Sequence, residues 1–255
     1  MNPIRLVINA DDLGLSDEVD AGIFESINCG VVTSATLLVN PPFTADISRF
    51  LNTGASIGLH FNLTLGKPCS AGSIAPSLVD ADGRFFTDIE ALLARLSEPE
   101  AEQELRIQFE LFRKIVRRNP CQLSFHKHLH AKDQRLLKIV AALGKEMNIP
   151  VRSLNEEMAN FFRSRQVMTN DHFLGDVKPS PYWTLPRFKQ QLGDLQPGLT
   201  ELMCHPGKKM KPMPGIWYCS ERDTELATLI APEARAAVSH CELLNFWKAF
   251  PETKT

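Results

Sequence analysis

The feature that most constrains this chain is a short apolar run that stops dead at two acids. Ile4 to Ala10 reads IRLVINA and is followed at once by Asp11-Asp12-Leu13-Gly14. A brief, mostly apolar run of this kind suits a strand buried on both faces, as in a parallel sheet covered by helices. A helix should follow. Ser16 is placed to cap it, and Asp17 and Glu18 stand where the helix dipole favours acids. Val19, Ile23 and Ile27 then recur at intervals of four, and Gly30 closes the segment as a C-cap.

The same alternation continues along the chain. Val31–Val39 and Ile57–Leu63 read as further strands. Residues 66–90 are rich in Gly, Pro, Ser and Asp and read as a long loop, with Asp80-Ala81-Asp82-Gly83 as a turn. Ser97-x-x-Glu100 has the form of a capping box before a helix striped by Leu105, Phe109, Phe112 and Val116. Glu102/Arg106 and Glu110/Lys114 are spaced as ion pairs on its wet side. Leu123–Leu129 is strand-like, Leu136, Leu137, Val140 and Leu143 mark a helix, and Glu201–His205 is a late strand. Ser220 is placed to cap a last helix, whereas residues 155–190 are less legible. Strand and helix in turn define an α/β chain with a parallel sheet, expected as one domain over residues 1–255.

Composition narrows the function. The chain has 255 residues, 44% of them hydrophobic and 23% charged, which supports a large core and argues against disorder. A net charge of −2 gives no electrostatic reason to expect nucleic acid. No apolar run is long enough to span a membrane, and no secretory leader pattern opens the sequence. Six cysteines lie scattered with no CxxC spacing, so they read as reduced thiols, and a cytoplasmic setting is expected. A homodimer is the assembly expected of a chain with no other indication.

The polar residues fall where catalytic groups of parallel barrels gather, at the C-terminal ends of strands. Asp11 and Asp12 follow the first strand, His60 lies at the end of the third, and His205 ends a late one. His126, His128 and His130 follow the central strand. Neutral imidazoles and carboxylates bind zinc and related divalent ions, and a further carboxylate can take a proton from a bound water. Each residue alone has a plainer reading: Asp-Asp as a turn or cap, His60 as a satisfied core histidine, His205 as a loop residue. If 123–129 is extended, the three central histidines share one face and all three are candidate ligands. A single ligand with two cleft residues fits the spacing equally well. His172 and His240 lack any such context.

These blocks together resemble the YdjC family, which includes chitooligosaccharide deacetylases and hopanoid-associated proteins. Asn9-Ala10-Asp11-Asp12-Leu13-Gly14-Leu15-Ser16 is similar to its opening signature, Thr33–Leu37 to its second block and Gly58–Pro68 to its G-L-H-x-x-L-T-x-G-x-P block. Ser77–Asp80 with Gly83 and Phe85, His126–His130, Ile149–Arg152, Glu201–Gly207, and Arg222 with Glu225-Leu226 continue the likeness in order. The resemblance implies a deformed (β/α) barrel of the glycoside hydrolase/deacetylase type. It also implies a divalent metal, magnesium first, with zinc or another transition metal compatible with the donors. By position the metal ligands would be Asp12, His60 and His126. Asp11 would be the general base, His205 the acid or oxyanion partner, and Arg152 the residue that orients Asp11.

The chain departs from the family pattern at two positions. Gln122 stands where a histidine is usual and Ser124 where an aspartate is usual. An acid there would support a metal ligand from behind. The expected activity is metal-dependent hydrolysis of N-acetyl groups on amino sugars, releasing acetate, with an acetylated amino sugar or oligosaccharide as partner. The alternatives are another metal-dependent hydrolase, or a non-catalytic sugar-binding protein on the same scaffold, which Gln122 and Ser124 would favour. Trp183, Trp217 and Tyr218 are candidates for stacking on sugar faces, against a plainer role in packing.

Overall fold

The computed structural model describes residues 3–40, 42, 45–70 and 74–251. Seven strands, all parallel where they pair, form one sheet among the described residues: β1 (Ile4–Leu13), β2 (Ser34–Leu37), β3 (Ser56–Phe61), β4 (Leu123–Phe125), β5 (His172–Leu174), β6 (Gly198–Cys204) and β7 (Glu242–Leu243). The order is β4-β3-β2-β1-β6-β5. β1 lies at the centre and gives one edge to β6, while its other edge serves β7 at Arg5–Leu6 and β2 from Asn9 onward. The outer edges of the sheet approach each other. Leu123 exchanges main-chain bonds with Pro150 and Arg152, and Val151 donates to Met168 at 2.9 Å, just before β5. The sheet therefore curls into a deformed (β/α) barrel.

Strand parity explains what lies inside. Val7, Asn9 and Asp11 share one face of β1, and that face is the barrel interior. At its lower end Val7, Leu199, Cys121 and Phe246 form a small apolar cluster. Ser34 and Ser56 seal the same level, with Ser56 Oγ donating to Ser34 Oγ at 2.9 Å and accepting from Phe246 N. Leu6, Ile8 and Ala10 face outward into the main core beneath the helices. Gly58 leaves room inside, since a Cβ there would stand 2.9 Å from both Gln122 O and Thr36 Cγ2.

The helices form for the reasons the sequence suggests, with several corrections. Ser16 caps the helix Asp17–Cys29 through Val19 N, and its apolar residues Val19 and Ile23 are buried. Gly30 ends that helix at φ −123°, so glycine is required by crowding and not by a left-handed turn: a Cβ would meet Ser26 O at 2.5 Å and Leu229 O at 2.6 Å. The capping box does not form. Ser97 caps Glu98–Val116 without a side-chain bond, and the reciprocal bond is lost too, since the Glu100 carboxylate accepts from Ser77 N and the Ser97 amide donates to Ser77 Oγ. Glu102 pairs with Arg106 as expected, but Glu110 takes Arg113 and not Lys114. Ser220 likewise makes no side-chain cap bond to Glu221–Ile230. The obscure stretch 155–190 holds the helices Glu156–Ser164 and Leu185–Gly193 around β5. Gly22 on the first helix packs against Gly207, where a Cβ would meet Gly207 Cα at 2.4 Å, and this contact ties that helix to the loop after His205. Among the described residues no helix is long and apolar enough to cross a membrane.

Candidate metal and catalytic site

β1 runs on through the acids, which the sequence placed just beyond it. Regular alternation would send Asp11 and Asp12 to opposite faces. A register slip between Ala10 and Leu13, with φ +69° at Asp12, breaks the alternation. Left-handed backbone costs a non-glycine residue about 1–2 kcal/mol, and aspartate tolerates it better than most. In return both carboxylates face one imidazole. His60 Nε2 lies 3.3 Å from Asp12 Oδ1 and 3.9 Å from Asp11 Oδ2.

His126 completes the group. Its Nδ1 is 3.0 Å from Asp12 Oδ1. Asp12, His60 and His126 each bring one donor atom to within 4.8 Å of the others, all three residues being buried. Donors that share one ion at about 2.0–2.2 Å, set at right to tetrahedral angles, lie roughly 3.0–3.5 Å apart. The observed 3.0 and 3.3 Å fit that spacing. Burial lowers the pKa of His126 despite the opposing charge of Asp12, which keeps its imidazole in the neutral, metal-binding form. The group can hold a divalent metal.

The central histidines do not share a strand face. β4 ends at Phe125, and Lys127 and His128 both take left-handed backbone, at φ +54° and +53°. Only His126 joins Asp12 and His60. His128 turns into the cleft wall, and His130 puts Nε2 3.1 Å from the Arg152 carbonyl, which fixes a proton on that nitrogen. The strand expected to Leu129 is thus replaced by a tight helical turn and the short helix Leu129–Lys132.

Around the acids the interior is a connected polar network. Arg152 makes a two-pronged pair with Asp11, Nη1 to Oδ2 at 2.6 Å and Nη2 to Oδ1 at 2.7 Å. Asn9 and Thr36 each donate to Asp11 Oδ1 at 2.8 Å. Burial pushes the Asp11 carboxyl upward, but the charge of Arg152, followed by that of His60, outweighs it and holds Asp11 well below the usual range. Asp12 is likewise held low: burial raises it, and His126 and Arg222 more than compensate, Arg222 donating Nη2–H to Oδ2 at 2.5 Å. Behind Arg152, buried Glu201 accepts its Nε–H at 2.8 Å.

The two departures from the family pattern are accounted for here. Ser124 Oγ lies 2.7 Å from His60 Nδ1, on the side of the ring away from Asp12. A hydroxyl thus holds the ring where an acid is usual. Gln122 donates Nε2–H to Glu201 at 2.5 Å and so belongs to the Arg152 network. His205 sits just past β6, its backbone N–H donating to Glu225 at 2.6 Å and its ring edge-on to Tyr218. Burial drops its pKa to about 4, with the Asp12 charge opposing. The sequence offered no sign that Glu201 is inside the barrel. Glu201, Arg222 and Glu225 all fall in blocks that carry the resemblance, which gave none of them a role. His172 and His240 lie outside the site, each bonded to a main-chain carbonyl.

The cleft above this group has a volume of about 530 Å3, and Asp11, Asp12, His60, His126, His205 and Arg222 are among its lining residues. A deformed parallel barrel with a carboxylate and two imidazoles converging at its C-terminal mouth is a barrel built to offer three donors to one divalent ion. The chain belongs to the YdjC-like protein family, whose profile matches residues 5–240. It is 31% identical over 244 residues to a chitooligosaccharide deacetylase of Yersinia pestis (strain Pestoides F), covering 92% of this chain and 94% of that relative. Among solved structures it is similar to an Enterococcus faecalis V583 protein provisionally named for cellobiose-phosphate cleavage, with a TM-score of 0.85 and 28% identity over 97% of this chain and 99% of the other. The Xyl-CE4 domain of a xylanase from the Trinervitermes trinervoides hindgut metagenome shares the fold alone, at TM-score 0.54 and 9% identity over 98% and 91% of the two chains.

Proposed function

We propose that this protein is a metal-dependent deacetylase that hydrolyses N-acetyl groups on amino sugars, chitooligosaccharides or related acetylated glycosides, and releases acetate. One observation carries the reading. A charged carboxylate, Asp11, stands beside a three-donor group, Asp12, His60 and His126, at one cleft floor. The naming of the Yersinia relative supplies the substrate class. An ion held by Asp12, His60 and His126 would supply Lewis acidity, easing deprotonation of a water and offsetting negative charge on a carbonyl oxygen.

The chain's own residues do the rest. Asp11 takes the proton of the attacking water. Arg152 fixes the Asp11 carboxylate with two bonds and keeps it ionised, while Glu201 holds Arg152 from behind. Arg222 occupies Asp12 Oδ2 and leaves Oδ1 directed toward the imidazoles. The proton that Asp11 takes from the water is the one the leaving amine needs. His205, neutral before the reaction, hydrogen-bonds the substrate, gains that proton as negative charge builds beside it, and passes it to the amine nitrogen as the C–N bond breaks and acetate leaves. Its low pKa makes the protonated form a ready donor.

Two imidazoles and one carboxylate bind zinc or cobalt more tightly than magnesium. Magnesium, the ion suggested by the family resemblance, therefore acts at higher concentration. We propose further that residues 1–255 work as one domain, and that the six free cysteines reflect a reducing, cytoplasmic setting. Homodimerisation remains an expectation for light scattering to test. Acetate release from N-acetylglucosamine oligomers, with and without chelator, tests the main reading. Release that survives full metal removal would overturn the metal mechanism, and glycan binding without release would favour a binding protein.

A further inference from the structure

Three aromatic rings lead from the floor of the cleft to its rim. His205 meets Tyr218 edge-on with ring centres 5.7 Å apart, and Tyr218 meets Trp217 in the same way at 5.7 Å. Tyr218 is buried and bound at both ends, its hydroxyl donating to Glu225 at 2.5 Å and its carbonyl accepting from Arg222 at 2.9 Å. Trp217 is 55% exposed and lines the cleft. Trp183, in contrast, is wholly buried and bonds the Met203 carbonyl, so it is a packing residue.

An exposed tryptophan on a loose loop would mean little, but Trp217 follows a built turn. Ile216 N donates to Met213 O at 2.9 Å, Pro214 occupies the position where its fixed φ is favoured, and Gly215 follows at φ +79°. A side chain at Gly215 would collide with Leu65 Cδ2 at 2.7 Å. Ile216 is buried beside it. The backbone is thus fixed on both sides of a ring that is left half in water, at a cleft mouth that also carries Lys132 and Asp176. An apolar face with polar neighbours suits a pyranose, whose C–H face stacks on indole while its hydroxyls reach charged groups.

We infer that Trp217 is the platform for a second sugar residue, next to the one that loses its acetyl group, and that it makes the protein select oligosaccharides over monosaccharides. The inference rests on the deacetylase reading. Two ring contacts separate Trp217 from His205, so a sugar reacting at the floor leaves the indole free for its neighbour.

The test titrates the chelator-treated full chain with N-acetylglucosamine, diacetylchitobiose and triacetylchitotriose, following tryptophan emission and heat. Of the three tryptophans, Trp183 is buried and Trp247 packs against Arg118, so a change in emission reports Trp217. The dimer and trimer are expected to shift the emission, and W217F to lose the shift while retaining most of the affinity. W217A is expected to weaken trimer binding roughly 3- to 10-fold, the range for one stacked ring, and leave the monomer unchanged. With metal restored, W217A should raise KM for the trimer by a similar factor and leave kcat within about twofold. Trimer binding unaltered in W217A, or equal losses for monomer and trimer, would overturn the inference. If no oligomer releases acetate but the emission shift and the W217A loss persist, the platform stands and the deacetylase reading fails.

Discussion

Replacing Ser124 with alanine should weaken metal binding far more than it weakens the fold. His60 can offer Nε2 to an ion only as the tautomer whose Nδ1 carries the proton, and that N–H is buried beside Ser124 Oγ at 2.7 Å. In the S124A variant the nearest remaining acceptor is Thr36 Oγ1 at 3.4 Å, and that hydroxyl already serves Asp11 at 2.8 Å. The metal-free protein escapes the loss by moving the proton to Nε2, where Asp12 Oδ1 at 3.3 Å accepts it. The metal-bound protein has no such exit and leaves a buried donor unsatisfied, at a cost of about 1–3 kcal/mol. Metal affinity should therefore fall between about fivefold and 150-fold, overlapping the usual effect of losing a group behind a metal-bound imidazole. Competition of zinc between the protein and a chromophoric chelator measures this directly, with the melting temperature of the metal-free protein as control. An S124A variant that binds zinc within twofold of the parent would refute the reasoning and leave Ser124 a mere space-filler.

Three further outcomes follow from the same geometry. Asp11→Asn should abolish acetate release while zinc affinity stays within a few-fold, because Asp12, His60 and His126 are untouched; normal turnover would place the base elsewhere. His130 has a pKa lowered to about 4 by burial, with its bond to Arg152 O opposing, against an ordinary value near 6.5. The unfolded chain thus binds a proton that the folded chain refuses, so this contribution is full above about pH 6.5 and is lost as pH falls toward 4. It amounts to about 2 kcal/mol between pH 7 and 5, and thermal melts of chelator-treated protein should show a shallower pH dependence in H130N. Gly22→Ala forces a Cβ toward the Gly207 backbone at 2.4 Å, and overpacking of this kind costs about 1–3 kcal/mol. Denaturant midpoints should fall accordingly, and an unchanged midpoint would mean that the helix slides freely over the His205 loop.

Much of the barrel was legible because its longer strands, β1, β3 and β6, are largely buried on both faces and each runs into polar residues that burial alone does not explain. Asp11, Asp12, His60 and His205 were found by that rule, and all line one cleft. The choice of His126 was not legible from spacing. It depends on two consecutive left-handed residues, Lys127 and His128, with no glycine to announce them. Glu201 was hidden for a different reason. Inside a strand of mostly apolar residues its charge looks like an exposed edge, and its partner Arg152 is 49 positions away. Ser97 shows the limit of local motifs: the capping pattern is present, but a loop amide at Ser77 competes successfully for Glu100.

The central place of β1 has a kinetic meaning. Asp11 and Asp12 ride on the strand that pairs with three others, whereas His126 follows a three-residue strand at one end of the sheet order. Segments with fewer cross-strand bonds open at lower free energy. Amides around β4 should accordingly exchange with solvent sooner than those of β1, and an ion held between them would be shed during a partial opening, long before the chain unfolds. Such an ion would act as a clasp between the central strand and a much shorter one, and its loss would register first as faster exchange near His126, with the acids still in place.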